Sequence, residues 1–571
     1  MTSIHGRVQK ACLTVLVGAA LTLVLPLFSM PALAGFELPP GERITNLPAI
    51  PRNMPQKEAY ELYDPVIGRN FDIKNLWLRA DLRVRPEMRT NTCFGQAINA
   101  NGSCNTFGTR GVPGGVGSNG GNKGNDFFVQ QWVRLGIGYD LSPDVNFYME
   151  IIDSATWGGN GIAVNAGNGG DPLNHNCGSS PVGPQGSAIS SNCRLGVRAA
   201  YVLIRNLAGI EGFSMKAGRQ YVVFGNHSLF GHFDWANTVY SHDGVMFAYQ
   251  TKNFDSYLGW FRNSESDLAQ AAPVGSGGPN IAGGTATPGG AINAVGNDAN
   301  RDADMIIFYN QIKSVPGMVI EPYYVYYKNN FSSADNAAFL GAAKHSNQTR
   351  HMIGNRIEMR MGGFDFSNEI AWQFGQMGQA GACTGEQKCL HINAWATRNW
   401  IGYTAYEWKW KPRVAFNFDY ASGDGRNNTC GPTPGSCSTA NTFENFFPTN
   451  HIHMGYMDVQ AWKNMLSPSI NFQARPSVRD HIELWYSNLN LASSKDCWYR
   501  ASQGCYVFSN ANNTNRHVGD EIDLSWTRMF ADGKVAVQAT YGTLFTGGYL
   551  TSTLNQQVNQ HWAYISLWMN F

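Results

Sequence analysis

From Leu78 to Arg89 the chain alternates. Arg79, Asp81, Arg83, Arg85, Glu87 and Arg89 take the odd positions, and Leu78, Ala80, Leu82, Val84 and Met88 take even ones. A period of two belongs to a strand with one face in apolar surroundings and the other in water. The comb recurs. Val129, Val133, Leu135, Ile137 and Tyr139 oppose Gln130, Trp132, Arg134 and Gly136, and Ile353, Ile357, Met359 and Met361 oppose Arg356, Glu358 and Arg360. Val518, Ile522, Leu524 and Trp526 oppose Glu521, Asp523, Ser525 and Thr527, and Ala563, Ile565, Leu567, Met569 and Phe571 form a last apolar comb. Alternation alone does not separate a soluble sandwich, apolar face inside, from a membrane barrel, apolar face toward lipid.

Connection lengths separate them. Strands read at 76–89, 127–141, 144–157, 194–207, 212–224, 242–250, 254–263, 303–313, 317–329, 348–362, 363–377, 391–409, 413–422, 468–475, 478–492, 516–530, 533–545 and 560–571, about 18 in all. Links after even-numbered strands are tight, among them Ser142-Pro143, Lys411-Pro412 and Asp532-Gly533, while those after odd-numbered strands are long and include 90–126, 158–193, 264–302 and 423–467. Short turns at one rim and long loops at the other describe an outer-membrane barrel with its long loops outside. The expected fold class is therefore all-β, a transmembrane antiparallel β-barrel over residues 76–571. At this strand number the lumen is aqueous unless loops fold inward.

Composition fits that reading. Charged residues make up 15% and aromatics 12%, and mean hydropathy is −0.27, as expected when half of each strand faces a polar lumen. After residue 34 no apolar run reaches the roughly 18 residues of a spanning helix, and 43% hydrophobic content argues against disorder. Residues 1–34 read as a signal peptide: Arg7 and Lys10, an apolar stretch from Cys12 to Phe28, then Ala32-Leu33-Ala34 before Gly35. Residues 35–75, rich in proline, read as a periplasmic lead-in. Cleavage removes Arg7 and Lys10, so 42 basic residues become 40 against 41 acidic, a balance that gives nucleic acid no purchase.

Ten cysteines remain after the leader, in five close pairs: Cys93 with Cys104, Cys177 with Cys193, Cys383 with Cys389, Cys430 with Cys437, and Cys497 with Cys505. In an exported chain they read as local disulfides bracing the long loops. No CxxC supports zinc and no CxxCH supports haem, so no metal or cofactor is expected.

Three stretches carry a resemblance: GRQYVVFGNHSLFGHFDWANTVYSHDGV (218–245), DYASGD (419–424) followed by NTFENFFPTNHIHMGYMD (441–458), and HVGDEIDLSW (517–526). They resemble the alginate-export family of outer-membrane porins across most of the mature chain. The resemblance implies a monomeric barrel that passes a polysaccharide through an arginine-rich lumen. Where that family carries an arginine in a segment like GDQRL, this chain has Gly225-Asn226-His227-Ser228-Leu229, which weakens the transfer of a polyuronate substrate.

Arg79, Arg83, Arg85, Arg89, Arg134, Arg356, Arg360 and Arg413 are the candidate lumen and permeant residues, because charges confined in a narrow pore select ions. With Lys216 and Lys534 they stand against Asp81, Glu87, Glu150, Glu358, Glu369, Asp419, Glu483, Glu521 and Asp523. The balance is close, basic on the early strands and acidic near 521–523; the same charges also suit a merely solvated strand face. Asp234 and Trp235 mark a candidate constriction loop that either narrows the pore or caps it outside. Trp77, Trp400, Trp408, Trp410, Trp562 and Trp568 are expected in interfacial girdles. His451 with His453, and His242-Asp243, lack a third ligand or a nucleophile, so neither a metal site nor an enzyme is expected.

The expected function is passage of an anionic or neutral saccharide or small solute across the Gram-negative outer membrane, by passive diffusion or export, with outer-membrane lipid and the solute as partners. One alternative is a structural or interaction barrel, an adhesin or a sheath around a periplasmic or surface partner protein such as an electron carrier. Another is a non-selective general porin.

Overall fold

The computed structural model describes residues 73–92, 94, 125–158, 195–232, 234–235, 240–264, 303–329, 348–377, 390–425, 439–499, 505–507, 514–554 and 557–570. The signal peptide, nearly all of the lead-in, the glycine-rich stretches 110–124 and 272–297, and four of the five cysteine pairs lie outside them. Of the fifth pair, Cys497 is disulfide-bonded.

The alternating segments become β1 (Leu76–Thr90), β2 (Asp126–Ser142), β3 (Val145–Gly158), β4 (Leu195–Ile204), β5 (Phe213–Gln220), β6 (His242–Gln250), β7 (Phe254–Ser264), β8 (Ala303–Ile312) and β9 (Met318–Asn329). They continue as β10 (Gln348–Met361), β11 (Phe364–Met377), β12 (Leu390–Thr404), β13 (Arg413–Ala421), β14 (Met465–Ser477), β15 (Asp480–Asn490), β16 (His517–Phe530), β17 (Val535–Thr546) and β18 (Gln560–Asn570). These 18 antiparallel strands form a closed barrel. Neighbours in sequence pair, and β1 against β18 shuts the cylinder, with Leu82 opposite Met569 and Val84 opposite Leu567.

The side-chain pattern is that of a soluble protein turned inside out. Leu78, Val133, Leu135, Ile353, Leu524 and Ile565 are exposed on the outer face, while Arg83 and Asp523 on the inner face are 1% and 0% exposed. An apolar band of this size is satisfied only by lipid. No helix among the described residues is long and apolar enough to cross a membrane; the strands do so.

Several expectations change. β5 stops at Gln220 rather than continuing to residue 224, because Tyr221 onward leaves the wall. β12 stops at Thr404, and 405–412 form a turn closed by Ala405 N–H donating to Pro412 O at 2.9 Å. Trp77, Trp400, Trp562 and Trp568 lie on lumen-facing positions, not in the girdles. Trp400 and Trp562 are buried, and Trp77 stacks on the inward Tyr148 at 5.5 Å, in space that a side chain on Gly138 would fill. Trp408 and Trp410 are exposed on the 405–412 turn. Lys534 is exposed in the turn after β16, so it leaves the inward tally.

The lumen is packed, the case in which loops fold inward. Two connecting segments, described at 221–232, 234–235 and 240–241 and at 441–464, fold back into the barrel. Phe224, Phe230, Trp235, Phe443, Phe447 and Trp462 join inward wall residues in one hydrophobic cluster. The segments are hydrogen-bonded to each other around a bridge between Phe230 and Phe447: Gly231 N–H donates to Phe447 O at 2.8 Å, Phe447 N–H to Leu229 O at 3.0 Å, and Thr449 N–H to His227 O at 3.0 Å. Together they form a plug.

Candidate functional site: a guanidinium cluster closed by loops

The period of two on β1 places Arg83, Arg85, Glu87 and Arg89 on one inner stripe, and antiparallel pairing sets Arg134 of β2 opposite Asp81. All eight candidate arginines lie on inward positions, and each meets an oxygen partner. Arg79 reaches Asp81 at 3.2 Å, Arg85 and Arg89 share Glu87 at 2.6 and 3.1 Å, and Arg134 reaches Asp81 at 3.3 Å and Glu150 at 3.9 Å. Arg356 bridges Glu321 and Glu358, Arg360 lies 3.8 Å from Glu358, and Arg413 forks onto Asp365 at 2.7 and 2.8 Å.

The first inward segment docks on this cluster. Arg83 Nη1 donates to Asp234 O at 2.5 Å, Arg85 Nη1 to Trp235 O at 2.8 Å, and Arg134 Nη1 to Asp234 Oδ1 at 3.3 Å. The Trp235 ring carries the Arg85 guanidinium at 3.4 Å from its centroid and stacks on His451 at 3.6 Å. Burial alone would raise the Asp234 carboxyl, but His232, Arg134 and Arg83 outweigh it and hold it below the usual carboxylate range. Asp234 and Trp235 thus lie inside the barrel against its basic wall, not on an outer cap.

The second segment docks on the acidic wall. Tyr456 N–H donates to Asp523 Oδ2 and Met457 N–H to Glu521 Oε1, each at 3.0 Å, and Tyr456 Oη donates to Glu483 at 2.7 Å. His451 pairs with Asp458 at 2.8 Å and His453 meets Asn226 O at 2.6 Å, so both histidines tie the plug together. His242 is buried inward while Asp243 is exposed on the other face with Arg219 at 3.0 Å. The strand therefore separates them and no dyad forms. Among the described residues no group of three or more His, Cys, Asp or Glu is placed to hold a metal.

Sequence reading missed Arg398, which pairs with Asp419 at 3.1 Å and donates to Ser228 Oγ at 2.9 Å. The serine that stands where the family resemblance leads one to expect an arginine therefore still faces a guanidinium, supplied by the wall. Glu321 and Asp365 were missed as well; parity within β9 and β11 would have found them.

A lipid-facing barrel with a charged lumen defines an outer-membrane channel rather than an enzyme. The family model for alginate export matches residues 185–564, and the chain belongs to the alginate-export family. No curated protein matches. Among solved structures, OccAB1 of Acinetobacter baumannii shares 11% identity over 87% of this chain and 97% of that one, with a TM-score of 0.47. The outer membrane protein OprD of Pseudomonas aeruginosa shares 8% over 87% and 93%, with a TM-score of 0.46. Likeness of this degree carries no weight for function.

Proposed function

We propose that this protein is a loop-gated outer-membrane channel for a saccharide that is neutral or bears isolated carboxylates. The observation that carries the reading is the docking of Asp234 and Trp235 on Arg83, Arg85 and Arg134. One carboxylate and two carbonyl oxygens from a loop occupy guanidiniums that an oxygen-rich solute would otherwise meet. A dense polyanion suits the lumen less well: among the described buried side chains carboxylates outnumber lysines and arginines, so withdrawing the loop would free a local basic patch, not a continuous basic conduit. Liposome swelling tests the reading. Swelling is expected with neutral oligosaccharides and a monouronate, and slower swelling with an oligouronate; no swelling with any solute would contradict it.

The buried lumen also favours a second reading, a sealed barrel that serves as a scaffold. It requires that the plug never leaves.

A further inference from the structure

Away from Arg83, Arg85 and Arg134, the plug covers a second part of the wall. Tyr309 of β8 and Tyr323 of β9 are cross-strand partners on the inner face. Their rings stack, 5.5 Å apart and 2° from parallel. Phe224 of the inward loop lies face-on over Tyr309, at 4.4 Å and 14°, and meets Tyr257 edge-on at 5.4 Å. Behind Phe224 the chain turns sharply: His227 N–H donates to Phe224 O at 3.1 Å, and Gly225 has a φ of +57°. A Cβ on Gly225 would come within 2.9 Å of Tyr309 Oη, 3.1 Å of Arg356 Cδ and 3.5 Å of Glu321 Oε2. The turn therefore fills a cleft whose floor is a tyrosine face and whose sides are a guanidinium and a carboxylate.

We propose that this cleft is a pyranose subsite, occupied by the Phe224-Gly225 turn in the closed channel and by a neutral sugar ring when the loop withdraws. The chemistry fits that ligand class. The C–H face of a pyranose is apolar and weakly positive, matching the negative face of an aromatic ring. Its equatorial hydroxyls need planar donors and acceptors at the rim, which Arg356, Glu321 and Gln311 supply; Gln311 already donates to Glu321 at 2.7 Å. The Tyr309 hydroxyl is buried beside Glu321. A few convergent polar groups around an apolar floor are the general form of a small-ligand site. The inference rests on the channel reading but uses neither Asp234 nor its partners Arg83 and Arg134.

Removing the internal occupant should raise apparent affinity, because the competent fraction of the cleft rises. The test uses the full-length barrel in detergent, maltohexaose as a neutral probe, and calorimetric binding, with heat-modified gel mobility as the folding control. Phe224→Ala is expected to bind at least about tenfold more tightly than the wild type. Phe224→Ala combined with Tyr309→Leu, which keeps apolar volume but loses the flat ring, is expected to lose that gain. Equal binding by the single and double variants, or no gain in Phe224→Ala, would overturn the subsite. Conductance of Phe224→Ala separates the two claims: an open pore that maltohexaose neither binds nor blocks keeps the channel and refutes the subsite, whereas maltohexaose binding to a sealed barrel, lost with Tyr309→Leu, keeps the subsite and refutes the channel.

Discussion

Asp234 is the residue on which the closed state turns. Its carboxylate is buried against Arg134 while its carbonyl takes Arg83. Arg134 keeps Asp81 and Glu150 when that carboxylate is lost, so the cost falls on the docked loop and stays below the about 3–5 kcal/mol of breaking an isolated buried pair. Asp234→Asn is therefore expected to undock the first loop, raising open probability and shifting the reversal potential toward anion preference. Unchanged gating in planar-bilayer recordings would count against this role. His227 adds a pH dependence. Burial, with His232 beside it, pushes its imidazole down to about 3, below the ordinary value of about 6.5. A group held below its free value takes its proton more readily once released. Docking is thus fully supported above about pH 6.5 and weakens, by up to about 1.4 kcal/mol per unit, as pH falls toward 3. Open probability should rise on mild acidification, and His227→Gln should flatten that rise. At this scale the sequence showed which arginines point inward, because parity within β1 decides it. It did not show their partners, since Asp234 is 151 positions from Arg83.

Among the elements, the strands were legible and the plug was not. Alternation fixes each wall face locally: Ile522, Leu524 and Trp526 are exposed, while Glu521, Asp523 and Ser525 are buried. Leu524→Arg, near the middle of β16, places a charge in hydrocarbon and is expected to cost about 2–4 kcal/mol. Urea-dependent folding into vesicles measures this, and a cost near zero would place that face outside the bilayer. The inward loops follow no period. Their signal was compositional: Phe224, Phe230, Phe443, Phe446 and Phe447 sit in segments that polar, glycine-rich outer loops would not contain, and such side chains need burial. The four tryptophans placed inside carry the same lesson. Position near a strand end suggested a girdle, but lumen-facing parity and a packed lumen overrode it.

Taken whole, the barrel separates its charges. β1 and β2 carry the guanidiniums that hold the first loop, β15 and β16 carry the carboxylates that hold the second, and the two loops pair with each other between them. Each wall grips the plug through backbone carbonyls or amides together with one loop side chain, Asp234 on the basic wall and Tyr456 on the acidic one. The plug is thereby stable as a unit yet bound by polar contacts that a solute can replace. Near-neutral net charge and unequal walls were readable from composition and position; closure was not, because it depends on where two long loops go. The most direct measurement is single-channel conductance of the wild type beside a variant whose residues 225–235, which include Asp234 and Trp235, are replaced by a glycine-serine linker. The expected result is brief, infrequent openings in the wild type and steady conductance with anion preference in the variant. A wild type as open as the variant, or a variant that stays sealed, would contradict a loop-gated channel.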